Sequence, residues 1–265
     1  MVAKFKSNLR YILALLKVSM KSALSLRAVY AVRTIFNISN HAIYMSIWFI
    51  IFDRVPSIGG WGIEHILLAY GIGIVTWGTV SFFALGLRRL PLQIDNGELD
   101  IYLTQPRPLL INIAMGCSQA AGPPEIIFGI IVLTIAGFMT SVSLFWLFFM
   151  VICATCVFGS MILAYGSIGF WLNGFYESSE EINFNAFIIS NRPEAVFDGW
   201  LQIIILTVVP VTFMTHLPIE FLLTHKLSAL FGTVFGTMAC MCVSYLIFKA
   251  GLRRYESGNR FGVRG

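Results

Sequence analysis

Charge is scarce in this chain. Asp, Glu, Lys and Arg make up 12% of its 265 residues, where a soluble domain carries about 25%. The shortage excludes an ordinary water-facing surface. With 57% hydrophobic residues, a mean hydropathy of +0.81 and several bilayer-length apolar runs, it points to a multi-span helical membrane protein. The alternating ten-residue segments of a membrane β-barrel are also missing. So are the signatures of chemistry: there is no GxxxxGK followed by Ser or Thr, no HExxH, no GxSxG and no pair of CxxC motifs. The five cysteines (Cys117, Cys153, Cys156, Cys240, Cys242) lie in apolar segments. They are expected to be small buried hydrophobes rather than metal or redox groups. His41, His65, His216 and His225 are scattered, and no metal site is expected. The net charge of +5 is explained by membrane topology and predicts no nucleic-acid partner. No cleavable leader is expected, because the first apolar stretch, residues 11–16, is short and gives way to Lys17 and Lys21.

What is present is organised around a polar interruption. Residues 87–112 read LRRLPLQIDNGELDIYLTQPRPLLIN and carry Arg88, Arg89, Asp95, Glu98, Asp100 and Arg107. Apolar segments long enough to cross a bilayer flank it. A loop beyond about a dozen residues is usually functional or disordered, and this composition is not that of a disordered segment. Asp95-Asn96-Gly97 is a turn signal, and the stretch from Glu98 to Leu103 alternates before Pro106 stops it. We read it as a short docking element for another protein. Its arginines place it on the cytoplasmic side, since short cytoplasmic loops carry the excess of Lys and Arg.

Residues 1–30 predict an interfacial amphipathic helix. Phe5, Leu9, Ile12, Leu13, Leu16, Met20 and Leu24 share a face, flanked by a membrane-surface stripe of Lys6, Arg10, Lys17 and Lys21. The alternative is a soluble amphipathic helix packed on a partner. Residues 31–249 hold six predicted spans, at about 34–52, 63–86, 124–140, 143–173, 196–214 and 227–249, and a basic tail covers 250–265. Gly71, Gly73 and Gly78 in the second span, and Ser160, Ala164 and Ser167 in the fourth, form small-residue faces for close helix packing. Around Glu125 two readings compete. Either one long span puts the acid near mid-membrane, or Pro123 and Pro124 open a helix whose first turn holds it. We prefer the second, which leaves 109–121 at the inner face. Residues 176–198 form a second polar inner segment. Pro210 predicts a kink in the fifth span, and 216–226 an outer segment dipping into the leaflet. Six spans put both termini in the cytoplasm and leave only Arg54 and Lys226 of the 18 Lys and Arg outside. Asn37, Asn40 and His41 share one helix face in the first span. Interhelical hydrogen bonding is their plainer role and a substrate-facing one the alternative.

Several stretches carry a family resemblance. They are Pro56-Ser57-Ile58-Gly59-Gly60-Trp61, Leu87-Arg88-Arg89-Leu90, Gly97-Glu98-Leu99-Asp100 with Leu103 and Pro106, Val209-Pro210-Val211, Leu217-Pro218 and Arg254-Tyr255-Glu256-Ser257. Their order resembles a branch of the membrane subunits of type-2 ABC transporters, over nearly the whole chain. One departure is Arg192, where that pattern has an aromatic residue before Pro193. The resemblance implies an all-α integral membrane protein with six transmembrane helices and the type-2 ABC exporter fold. It implies a permease that is not itself an enzyme and binds no cofactor. Its partners would be the bilayer, a second permease copy or paralogue, and ABC ATPase subunits holding ATP and Mg. By the same resemblance, the coupling element that fits the ATPase falls on Arg88, Arg89, Gly97, Glu98, Leu99, Asp100 and Leu103. A dimer interface of spans one, two and five would line the substrate path with Asn37, Asn40, His41, Thr76, Thr79 and Thr207. That lining suits an exported amphipathic or lipid-like molecule. The implied location is the plasma or inner membrane. Two functions compete. A membrane-embedded lipid-modifying enzyme would need acids clustered with a His or a basic clamp, which Glu177, Glu180 and Glu181 lack in sequence. An ion-coupled secondary transporter would show an internal repeat, and only Glu125 speaks for it.

Overall fold

The computed structural model describes residues 10–15, 17–18, 21, 25, 27–117, 122–193, 197, 199 and 209–256. In chain order its helices are α1 (Arg27–Arg54), α2 (Ile63–Phe83), α3 (Leu85–Arg88), α4 (Leu90–Asp95), α5 (Leu99–Leu103), α6 (Leu109–Met115), α7 (Gly122–Thr140), α8 (Leu144–Ile168) and α9 (Tyr176–Ser190). A turn of π-helix (Thr212–His216), α10 (Leu217–Thr224) and α11 (Leu227–Leu252) follow. No strand forms among the described residues. Helices α1, α2, α7, α8 and α11 are each long and apolar enough to cross a membrane. Among the described residues such helices number five, and the expected fifth span over 196–214 lies largely outside them.

Helix α2 is the axis of the bundle, buried over most of its length. It meets α7 backbone to backbone. A Cβ on Gly78 would fall 2.9 Å from the Gly122 carbonyl oxygen, and one on Gly122 2.7 Å from that of Gly78. Gly71 and Gly129 make the same approach against Leu133 and Val75. Without a hydrophobic force between helices in lipid, such small-residue contact supplies the packing energy. Gly73, grouped with these in sequence, faces α9 instead. Helix α7 begins at Gly122-Pro123-Pro124, where proline loses no hydrogen bond, and Glu125 sits in its first turn. That agrees with the second of the two readings.

Below α2 the chain breaks at Ala84 and folds into α3 to α6. Gly86 lies against the Ile113 carbonyl, and Leu90, Leu99 and Ile113 are fully enclosed with Leu163 and Phe248. The polar loop is therefore a packed layer with its own apolar core. The segment at 10–15 is helical, and Tyr11 lies under the Arg107 guanidinium at 3.9 Å, which seats it beside this layer.

Residues 176–190, expected within a polar inner segment, form a helix packed against α2 and α8. Helix α9 starts at the loop end, and Asn191 just past it reaches Gly73, the central residue of α2. Thr215 Oγ1 donates to the Ser190 carbonyl at 2.8 Å, and the His216 ring lies 3.2 Å from the Arg192 carbonyl. Residues 190–192 and 215–216 are thus neighbours.

Candidate functional site

A cavity of about 350 Å³ opens between α1, α2 and α9. Helix α1 contributes Asn37, Asn40, His41 and Tyr44, three of them predicted from their shared face. Helix α2 adds Tyr70, Ile74 and Trp77. The far wall is Phe184, Phe187 and Ile188 of α9, with Asn191, Arg192 and, from α7, Glu125.

The lining is held in place by ring contacts and a few polar bonds. His41 Nδ1 and the Tyr70 hydroxyl share a hydrogen bond at 2.8 Å, and the imidazole stacks on Phe128 with centroids 5.2 Å apart. Tyr44 stacks on Tyr70 at 4.5 Å. His41 therefore makes the interhelical bond expected of it while it faces the cavity. Trp77 is fixed between Phe158 and Phe187, with the Arg88 guanidinium 4.4 Å over its ring.

The other expected path residues are placed elsewhere. Thr76 is buried and its hydroxyl lies 3.4 Å from that of Thr155 on α8. Thr79 donates to the Val75 carbonyl at 2.6 Å and lines a separate apolar hollow of about 500 Å³ between α2, α7 and α8. Thr207 lies outside the described residues.

The loop residues divide into two sets. Arg89, Glu98 and Leu103 are exposed, joined by Leu92 and by Ile101 at 61% exposure. Gly97, at φ +71°, makes the open turn that sets α5 beneath α4. The others face inward. Leu99 is fully buried and anchors α5 in the layer. Arg88 turns away from the surface to form a two-pronged pair with Glu180 of α9 and a bond to Ser81 Oγ at 3.4 Å. Asp100 lies beside Tyr255 of the tail. Burial, and then that carboxylate, push the Tyr255 hydroxyl up to about 12. Burial also raises Tyr102, with Cys117, Glu98 and Tyr11 adding to it. Of the membrane-surface stripe, Arg10, Lys17 and Lys21 are exposed, and Lys6 lies outside the described residues.

The reading from sequence missed Tyr44, Tyr70, Trp77, Phe187 and Arg192. Tyr44 falls one helical turn after Asn40 and His41, and that spacing was the available signal. The aromatic wall of α9 gave none, because its segment is polar in composition.

A family model described as ABC-2 family transporter protein matches residues 38–259. No curated protein matches the chain.

Proposed function

The chain belongs to the ABC-2 family of transporter proteins, an integral membrane permease, and from that premise we propose that it is the membrane half of an ATP-driven exporter for an amphipathic or lipid-like substrate. The ATPase is a separate subunit that holds ATP and Mg. It docks on the layer formed by α3 to α5, with both termini and that layer in the cytoplasm and the spans in the plasma or inner membrane. A second permease, identical or paralogous, closes the cavity between α1, α2 and α9.

One observation carries this reading. The layer offers a compact outward face and is tied to the cavity wall. Arg89, Leu92, Glu98, Ile101 and Leu103 are exposed on helices whose other faces are locked into the Leu90, Leu99 and Ile113 core. Arg88, one residue from Arg89, grips Glu180 on α9, and α9 supplies Phe184 and Phe187 to the cavity. A push on the layer is thereby delivered to the wall of a cavity in the membrane. No phosphate-cradling motif occurs in the 265 residues, so the work must arrive by contact.

The test is co-purification of the ATPase with a chain carrying Glu98→Lys and Ile101→Asp. Both side chains are exposed, so folding and insertion should be unaffected. Reversing a charge at an interface costs several kcal/mol, so recovery of the ATPase should fall at least about tenfold. Full recovery would remove the layer as the docking site.

A further inference from the structure

The cavity wall carries a positive charge at Arg192. Arg192 is exposed on its wall, and its guanidinium has no partner among the described residues. An unpaired arginine on the wall of a cavity between membrane-spanning helices is seldom without a function. Two acceptors line the same space. Asn191 is 1% exposed; its Nδ2 donates to the Phe187 carbonyl at 2.7 Å and its Oδ1, turned toward Gly73 of α2, has no partner. Glu125 is 9% exposed, and its Oε2 is also without a donor. Buried acceptors are expensive to leave unmatched. Between them the wall is aromatic, with Tyr44, Trp77 and Phe187.

We infer that this cavity binds an amphipath whose polar end carries an anionic group, phosphate or carboxylate, together with a hydrogen-bond donor. The guanidinium takes the anion through parallel N–H···O bonds, a geometry that its planar fork presents and an ammonium does not. The Glu125 carboxylate, on the same wall, accepts from the donor. The aromatic wall takes the first part of the apolar chain. A volume of about 350 Å³ accommodates a head group and the start of a chain, at the lower end of ligand-pocket sizes. The inference rests on the transport reading and names the class of molecule carried.

The experiment uses the full chain in an uncharged maltoside micelle, titrated with a dibrominated fatty carboxylate. Bromine quenches tryptophan at short range, and Trp77 stands in the cavity wall. We expect saturable quenching that is largely lost in Trp77→Phe. The dissociation constant should rise about tenfold in Arg192→Gln, the scale of one charged hydrogen bond, and recover only part of that in Arg192→Lys, which keeps the charge but lacks the fork. A brominated alkylammonium of equal chain length should bind about tenfold more weakly than the carboxylate. Equal affinity of the wild-type chain for the two head groups, or a preference for the ammonium, overturns the inference. So does unchanged carboxylate affinity in Arg192→Gln, the result expected if Arg192 instead meets an acid of a second permease copy. The head-group comparison uses the unmutated chain and stands even where Arg192→Gln fails to fold. The titration needs no ATPase. A chain that binds the carboxylate selectively yet recruits no ATPase would sink the transport reading alone, and one that recruits the ATPase without head-group selectivity would sink this inference alone.

Discussion

Arg88 and Glu180, 92 positions apart, are joined by two hydrogen bonds at the loop end of the bundle, Nε to Oε1 at 3.0 Å and Nη2 to Oε2. The pair links α3 to α9, and the same guanidinium covers the Trp77 ring. Its side chains are only 10% and 27% exposed. Removing one member of such a pair strands a charge, at a cost of about 3 kcal/mol, the lower end of the range because Glu180 is partly wet. Arg88→Ala and Glu180→Ala should each lower the thermal midpoint in micelles, and the double variant should be little worse than either. Arg88→Lys should recover part of the loss, since an ammonium lacks the fork. Additive losses in the cycle would mean that the two side chains act independently.

Topology can be read from outside. Ser57 and Thr224 are exposed at one end of the bundle and Ile101 at the other. An impermeant maleimide on intact cells should label cysteines introduced at Ser57 and Thr224 and leave Ile101→Cys unmodified until the membrane is opened. Gln93 lies in the same loop as Ile101 but is buried and would give a misleading negative. Labelling of Ile101→Cys in intact cells would overturn the cytoplasmic placement of the layer.

The membrane class, the long helices and the packing glycines were legible because each depends on local composition and periodicity. Pro123 and Pro124 marked the start of α7 for the same reason. Helix α9 was not legible. It holds Glu177, Glu180, Glu181, Asn183 and Asn185 in 15 residues, a composition that hydropathy reads only as a polar inner segment. What admits it to the bundle is a partner 92 positions away, Arg88, and a glycine on α2 that leaves room for Asn191. The cavity was half legible. Asn37, Asn40 and His41 lie on one face of one helix, whereas Thr76 and Thr79 lie on a helix buried over most of its length. Composition alone cannot tell which side of such a helix meets a cavity and which meets α8.

Tyr255 offers a pH dependence. Its hydroxyl is held up to about 12, first by burial and then by Asp100, against about 10 in an unfolded chain. The folded state therefore keeps a proton that the unfolded state releases. This contribution is fully present below pH 10 and is lost as pH rises toward 12. The melting temperature of the wild-type chain should fall more steeply across that window than that of Tyr255→Phe. Asp100→Asn should flatten the fall in part, since burial remains. Parallel curves for wild type and Tyr255→Phe would show that the tail is not seated against α5.

Two glycines give the sharpest contrast. Gly86 of α3 lies where an added Cβ would run into the Ile113 carbonyl oxygen of α6. A backbone atom cannot rotate away, so α3 or α6 must shift, and overpacking of this kind costs about 1–3 kcal/mol. Gly159 of α8 has nothing within 4 Å of the same position, and alanine there gains up to about 1 kcal/mol of helix propensity. Gly86→Ala should lower the thermal midpoint and the yield of monodisperse protein, whereas Gly159→Ala should leave both unchanged or raised. The two changes add the same methyl to a helix, so propensity alone predicts equal outcomes. Only the close approach of α3 to α6 separates them. Because α3 leads directly into the docking face, the folded fraction of Gly86→Ala should also recover less ATPase than wild type. If the two variants melt and co-purify alike, the layer under α2 is looser than its packing describes, and it cannot act as the stiff element that the transport mechanism requires.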